Sequence, residues 1–408
     1  MQLLGIVAFI VALLFSVMVH EFGHFIMAKR FGMKVTEFFL GFGKKIWSTQ
    51  RGETEFGIKT IPAGGYCRIE GMAPNDAMDP GEEDRAFYRA SGGRKLIVLG
   101  AGSFLHFVLG FVLLLALFMG VGTAQVTSTI AQVSSCVPPV TGAQECTAQS
   151  PISPAKSAGL KAGDKIVSIN GIPIKEWAKD VELIRSSAGK SLILGIDRGS
   201  QKLQNVDGSG LPDFEITVVP QARVINGKTI GFVGIVNQFA FVRSDPITAV
   251  KQSTSTTSLF IAASLKSLIA LPSKIPALWS QTIGGKPRDS AGLVGVVGVA
   301  RVSGQAVGSA KLSIPERLAT FIVIIASLNI FVGIFNLLPI LPLDGGHMAV
   351  AIADEIRAFL ARLRGRARPA AIDVAVLTPV TMVVFVLLVG LTLMLLVADI
   401  VNPVNFNL

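Results

Sequence analysis

Four stretches of the chain stay apolar long enough to cross a bilayer, which takes about 20 residues at roughly 1.5 Å each. They are Leu3 to Ala28, Leu96 to Val121, Leu318 to Leu343 and Val374 to Ala398. The second and fourth carry no formal charge, whereas the first holds His20, Glu21 and His24 and the third ends on Asp344. Between the second and third stretches the pattern changes. Residues Ser157 to Gly171 place a turn before a run of alternating apolar positions closed by Asn170-Gly171, which predicts a strand ending in a tight hairpin turn. Thr256 to Trp279 is apolar but interrupted by Lys266, Pro272 and Lys274, and is expected to be an interfacial helix and not a fifth span.

Composition supports a membrane class. Half of the 408 residues are apolar, 16% are charged and the mean hydropathy is +0.59, which excludes a disordered chain. The net charge of +10 comes with only 2 Tyr and 3 Trp, so a base-stacking surface, and with it a nucleic-acid partner, is not expected. Position matters more than the sum. Twelve Lys/Arg fall between Lys29 and Lys95 and five between Arg357 and Arg368, with none before Lys29 or after Asp399. Both basic segments are therefore expected on the cytoplasmic side of the cell membrane, with both termini outside. The segment between the second and third spans is then exported, since long domains translocate largely regardless of charge. The first stretch has no basic residue before its apolar run, unlike a cleaved signal peptide, and reads as a retained helix. Cys136 and Cys146 both lie in the exported part and are expected to pair, while Cys67 is expected to be a free cytoplasmic thiol.

A charge at bilayer depth costs about 3 kcal/mol on insertion scales, so it marks a task. His20-Glu21-Phe22-Gly23-His24 is an H-E-x-x-H pattern. On a helix, positions i and i+4 share a face, so two imidazoles converge on one ion with Glu21 beside it. That arrangement suits Zn²⁺, with Glu21 as general base toward water, and Gly23 would let another backbone come close. The alternative is a buried polar cluster joining helices, which would waste insertion energy in an apolar span. A catalytic zinc site needs a third protein ligand, and Asp344 is the other carboxylate within a span. It follows Pro339 and Pro342, which break the helix. His347 reads as an interfacial or supporting group, with a fourth ligand as the alternative, and His106 as a satisfied core histidine, with a hydrogen-bonding role at the site as the alternative.

His20-Glu21-x-x-His24 together with Asn336-x-x-Pro339 and Leu343-Asp344-Gly345 resembles the site-2 protease family of intramembrane zinc metalloproteases. The likeness is to its bacterial RseP-like branch and, in the Pro342-x-Asp344-Gly345-Gly346-His347 run, to actinobacterial members. Gly41-Phe42-Gly43 and Thr54 to Tyr66 match that family's membrane-associated β-hairpin elements, so the resemblance runs from the first span to the last. It implies that His20, His24 and Asp344 hold one zinc per chain, that Glu21 is the base, and that Asn336, Pro339, Gly41 and Gly43 help hold substrate. Three departures stand out: Gly102-Ser103-Phe104-Leu105-His106 replaces the family's Gly-Pro-x-x-Asn, Lys44 follows Gly43 where a Pro is common, and Pro342 falls one position late. Ser157 to Gly171 resembles a bacterial PDZ domain, in which Gly231 to Ile235 would supply a peptide-binding edge; the alternative is a small β-domain that shields the site and filters by size.

The expected protein is a polytopic α-helical membrane protein. Residues 1–28 form the first helix with the zinc motif, 29–95 a cytoplasmic loop with membrane-associated β-hairpin elements, and 96–121 the second helix. Residues 122–250 form an exported PDZ-like β-rich domain, 251–317 an exported linker with amphipathic segments, and 318–347 the third helix with the third ligand. Residues 348–373 form a basic cytoplasmic loop and 374–398 the fourth helix. Its expected function is hydrolysis of peptide bonds in or near the spans of single-span membrane proteins already shortened on the exported side, such as anti-sigma factors or remnant signal peptides. The rival expectation is a membrane scaffold that binds exported peptides and carries a structural metal.

Overall fold

The first apolar stretch forms one helix, α1 (Gln2–Arg30), in the computed structural model. Residues 1–404 are described, apart from 73–75, 77, 139–145, 147–149, 200–211, 226, 285–287 and 289–291. Strands β1 (Val35–Arg51) and β2 (Thr54–Ile69) follow and pair antiparallel. Both are far longer than the usual five or six residues and fold back on themselves. Phe38 thus has Cys67 on one side and Phe56 on the other, while Trp47 lies opposite Ile58. Gly41 and Gly43 make the bend at φ +87° and +88°, where a side chain would strain the backbone. Residues 66–69 become an outer run whose partners, among the described strands, all lie in β1.

Helix α2 (Gly92–Ala116) continues through a single π turn at Leu117–Val121. A separate unit then spans Thr123–Val242. It contains β3 (Thr123–Val133), α3 (Pro154–Ser157), β4 (Lys165–Ile169), β5 (Ile172–Pro173) and α4 (Trp177–Arg185). Strands β6 (Leu192–Asp197), β7 (Phe214–Val218), β8 (Gln221–Ile225), β9 (Lys228–Phe232) and β10 (Ile235–Val242) complete it. The main sheet has the order β10-β3-β4-β6-β7, with β5 on β4, and β8 and β9 form a hairpin. The predicted strand and turn are present as β4 followed by Asn170 and Gly171 at φ 50° and 75°, the positive angles a primed hairpin turn requires. The core of this unit gathers Ile130, Leu160, Ile166, Trp177, Leu194 and Ile196. Asp164, 1% exposed, accepts two bonds from Arg198 at 2.6 and 2.7 Å and one from the Lys161 N–H at 2.9 Å. Cys136 and Cys146 are joined in a disulfide with Cα atoms 5.9 Å apart.

The rest of the chain returns to the helical unit as α5 (Pro246–Thr282), α6 (Val296–Gly308), α7 (Ile314–Asn336), α8 (Asp344–Leu363) and α9 (Thr378–Val401). Two expectations change, and one helix is longer than expected. The third apolar stretch is not one helix to its end: α7 stops at Asn336, and Asp344 opens α8 after a loop containing Pro339 and Pro342, which lack the N–H that would continue the ladder. Most of the expected basic loop 348–373 is helical, because α8 runs to Leu363. The apolar stretch after residue 245 is a 37-residue helix, begun by the Asp245 side chain accepting from the Ile247 and Thr248 N–H groups. With α5 included, five helices among the described residues are long and apolar enough to cross a membrane, against the four expected.

Close helix contacts run through small residues, as they do where lipid removes the hydrophobic drive between helices. A Cβ on Gly23 would lie 2.5 Å from the Ala101 carbonyl oxygen, so α1 and α2 meet backbone to backbone there, as the sequence suggested for Gly23. Gly5 on α1 meets Gly304 on α6 in the same way. Helix α9 exposes most of its apolar side chains and is pinned near its end by Asp399. That carboxylate accepts the Gly298 N–H at 2.7 Å and lies 3.0 Å from Arg288 Nη1, with both side chains 1% exposed.

Candidate active site

His20 and His24 are buried one turn apart on α1, facing α2. The Val98 carbonyl lies 2.8 Å from His24 Nδ1, so that nitrogen carries the proton and Nε2 presents a lone pair. Gly102 on α2 makes room for both rings: a Cβ there would lie 2.5 Å from His24 Nε2 and 2.6 Å from His20 Cε1. Helix α8 brings the third group. Gly345 and Gly346 let the 337–343 loop fold onto the first turn of α8, since a Cβ at either would lie 2.3 to 2.5 Å from the backbone of Leu337 and Leu341. Asp344 is held at the mouth of that turn.

The three donor atoms form a small triangle. His20 Nε2 and His24 Nε2 are 3.1 Å apart, and Asp344 Oδ2 lies 3.2 and 3.4 Å from them. Ligands about 2.1 Å from a tetrahedral ion sit about 3.4 Å from one another, so the triangle has the size of one face of a zinc site. Asp344 Oδ2 is buried without a hydrogen-bond donor, and an acceptor left that way is costly unless a cation takes it. No other His/Cys/Asp/Glu group among the described residues gathers three such atoms. The donor set of two imidazoles and a carboxylate fits zinc, with a fourth position left open.

A cavity of ≈ 380 Å³ opens onto this cluster, lined by Glu21, Asp344 and the outer run of β2 from Tyr66 to Ile69. Gly65 packs against α1 so closely that a Cβ would lie 3.4 Å from Glu21 Cγ. Tyr66 stacks on Phe39 and Phe42, and its hydroxyl sits between Glu37 and Lys59. The bond from Tyr66, with Lys59 and Arg68 nearby, holds the Glu37 carboxyl below its ordinary value against burial, while burial and the Glu37 charge raise the Tyr66 phenol. Burial, helped by the Glu21 charge, pushes the Cys67 thiol up to about 12.

The other candidates divide. His106 is 2% exposed and bonded at 2.8 Å to Asn329 Oδ1, while the Asn329 amide donates to Ser16 Oγ at 3.0 Å, so it is a satisfied core histidine tying α2, α7 and α1 together. Its ring also packs 5.0 Å from that of His20. His347 lines neighbouring cavities and stands outside the donor triangle. Asn336, Pro339, Gly41 and Gly43 are not among the described residues lining the cavity at the donor cluster. Gly102 and the Val98 carbonyl escaped the sequence reading. Gly102 opens the Gly-Ser-Phe-Leu-His run, whereas a backbone carbonyl inside an apolar span leaves no mark in a sequence.

The model of peptidase family M50 matches residues 8–382. The chain belongs to that family. It is 34% identical over 415 residues to zinc metalloprotease Rip1 of Mycobacterium tuberculosis (strain H37Rv), covering 98% of each chain. Rip1 of Mycolicibacterium smegmatis is likewise 34% identical over 416 residues, at 98% of each. Regulator of sigma-E protease RseP of Escherichia coli K12 is 26% identical over 437 residues, covering 86% of this chain and 90% of that one. Family M50 membership decides between protease and scaffold: the protein is a zinc-dependent, site-2-type metalloprotease of the membrane, and its cofactor is Zn²⁺.

Proposed function

We propose that this M50 protease cleaves peptide bonds in or near the spans of single-span membrane proteins, with His20, His24 and Asp344 as the ligands of one zinc and Glu21 as the general base. The observation that carries the reading is the donor triangle on a membrane helix, opening into a cavity walled by the outer run of β2. Zinc, when bound, supplies Lewis acidity toward the scissile carbonyl and the attacking water. A peptide bond in a membrane helix is internally hydrogen-bonded, so the substrate must unwind before attack. Residues 66–69 offer it a strand edge, and Asn336, at the end of α7, offers its side-chain amide to the substrate backbone. Gly41 and Gly43 supply the bend that folds the hairpin and leaves this edge outermost, and Pro339 keeps α7 from continuing beyond Asn336. Glu21 takes a proton from water and returns it to the leaving amine nitrogen. Leu99, Ile69 and Met72 line the same cavity and limit bulk water there.

Four crossings, with both termini and the 123–242 unit outside and the catalytic cavity toward the cytoplasm, remain the favoured topology, and α5 lies at the outer end of the helical unit. Two contacts support this. Helix α5 starts beside the C-terminal end of α2, where the Ser244 N–H bonds the Phe118 carbonyl. It ends beside the C-terminal end of α9, where the Asn402 amide bonds the Gln281 carbonyl. Thr378 and Thr381, at the other end of α9, share a cavity with His347 and Pro342. The 123–242 unit then acts as a PDZ-like module that rejects intact ectodomains or captures exported peptides. The Gly231 to Ile235 run is already occupied, because the Val233 and Gly234 carbonyls accept from Ala155 and Ser134, so capture would use the outer edge of β10.

Substrates shortened beforehand on the exported side would satisfy such a filter. The name of the E. coli relative, regulator of sigma-E protease, favours anti-sigma factors over remnant signal peptides. Comparing membrane proteomes of cells carrying wild type or Glu21→Gln tests the proposal. Truncated single-span proteins should accumulate with the variant while purified protein keeps its zinc; undiminished cleavage by the variant would refute it.

A further inference from the structure

Away from the catalytic cavity, a second cavity of ≈ 380 Å³ lies between the start of α2 and the polar face of α8. Arg89, Lys95, Arg357 and Arg368 line it, with Asp354 as its one carboxylate. Each arginine pairs with an acid, Arg89 with exposed Asp84, Arg357 with Asp354 and Arg368 with Glu355, while Arg89 Nε also bonds the Tyr88 hydroxyl and Arg357 Nη1 the Ala370 carbonyl. Lys95 is different. It is 9% exposed, yet it has no carboxylate within salt-bridge distance and no hydrogen-bond acceptor among the described residues, only the Phe87 ring 5.9 Å from Nζ. A largely buried ammonium with no directly bonded partner is costly, even with the Asp354 and Glu355 charges acting on it from beyond contact, and its position in the wall of a cationic pocket favours an anion. Ser91 and the first turn of α2 add a helix N-terminus to the same wall.

We propose that this pocket binds a phosphoryl group, that of an anionic lipid headgroup. Position argues for lipid over free phosphate. Lys95 stands in the first turn of a helix long and apolar enough to span, which places the pocket at headgroup level. Helix α8, which supplies Arg357, leaves Ile352, Ile356, Phe359 and Leu363 exposed at spacings of four, three and four residues, an apolar stripe suited to the acyl boundary. The headgroup would join α2 to α8, the helices that carry the Val98 carbonyl and Asp344, in addition to the existing bond from the Gly92 N–H to Glu355 at 3.2 Å. The five basic residues that set topology in the sequence thus include two with a binding role.

The test uses the full chain, first in neutral detergent and then in nanodiscs of phosphatidylcholine alone or with about 30 mol % phosphatidylglycerol. Native mass spectrometry should show phosphatidylglycerol retained in preference to phosphatidylcholine. Lys95→Met and Arg357→Gln should each lower retention about fivefold, the worth of one cation near an anionic surface, with zinc content unchanged. If Lys95→Met loses zinc through misfolding, Arg368→Gln on an exposed side chain gives the same reading. No preference for phosphatidylglycerol, but thermal stabilisation by millimolar inorganic phosphate that these variants lose, would keep the phosphoryl site and identify free phosphate as its source. Equal retention of both lipids with no effect of phosphate, or undiminished retention by folded variants, would overturn the proposal.

Discussion

The backbone carbonyl of Val98 on α2 lies 2.8 Å from Nδ1 of His24 on α1, so the proton of that imidazole points away from the donor triangle. This contact exists because Gly102, one turn further along α2, carries no side chain. The orientation of one proposed ligand is therefore set by the neighbouring helix, and α2 belongs to the site without contributing a metal-binding side chain.

Gly102→Ala should cost zinc. The added Cβ would lie 2.5 and 2.6 Å from His24 and His20, so α2 or the rings must move. Losses of 10- to 100-fold in metal affinity follow disturbance of such supporting contacts. Competition with a chromophoric chelator measures it. Gly93→Ala, where a Cβ meets open space, should bind zinc like wild type.

Asp399 and Arg288 make a buried pair, and removing one partner strands the other. Asp399→Ala should destabilise the protein by about 3–5 kcal/mol, and Arg288→Met similarly. The double variant should recover part of that loss, because no charge remains unpaired. Thermal unfolding of all four proteins in one detergent completes the cycle; additive losses would show that the pair is not coupled.

Acid should loosen the 123–242 unit through Asp164. Burial raises this carboxyl, but its bonds from Arg198 and the Lys161 N–H and the charges of those two residues outweigh it and leave the folded value below the ordinary one. A depressed carboxyl contributes its full stability above the unfolded value, about 3.9, and loses it as the pH falls through that value toward the folded one. Hydrogen exchange in peptides covering β4 and β6 should therefore be flat from neutral pH down to about 5 once corrected for intrinsic rates, and accelerate below about 4. Asp164→Asn should exchange faster already at neutral pH.

Thiol chemistry should separate the three cysteines. Cys67, with its thiol pushed up to about 12, is almost wholly protonated at pH 8 and should alkylate slowly in the native protein. Cys136 and Cys146 should react only after reduction. Mass spectrometry after iodoacetamide should find one labelled cysteine on denaturation and three after added reductant; fast native labelling of Cys67 would contradict its burial.

The sequence by itself determined what depends on local spacing and on the cost of charge in hydrocarbon. Two histidines four residues apart share a helix face wherever that helix goes, and a carboxylate after paired prolines in an apolar run stands where the helix must break. His20, Glu21, His24 and Asp344 could therefore be proposed as a site before any fold was known, and the strand ending at Asn170-Gly171 could be placed. The tertiary structure decided what depends on contacts between distant segments. Only the fold shows that Asp344 begins a new helix, that Gly102 clears space for the imidazoles, and that Tyr66 to Ile69 wall the cavity beside them. In the sequence Lys95 only precedes an apolar stretch, whereas the fold sets it beside Arg357 and Arg368, more than 260 residues away, in one cationic pocket. Apolar helices pack through small residues and backbone groups, and neither carries a periodic signal that specifies its partner.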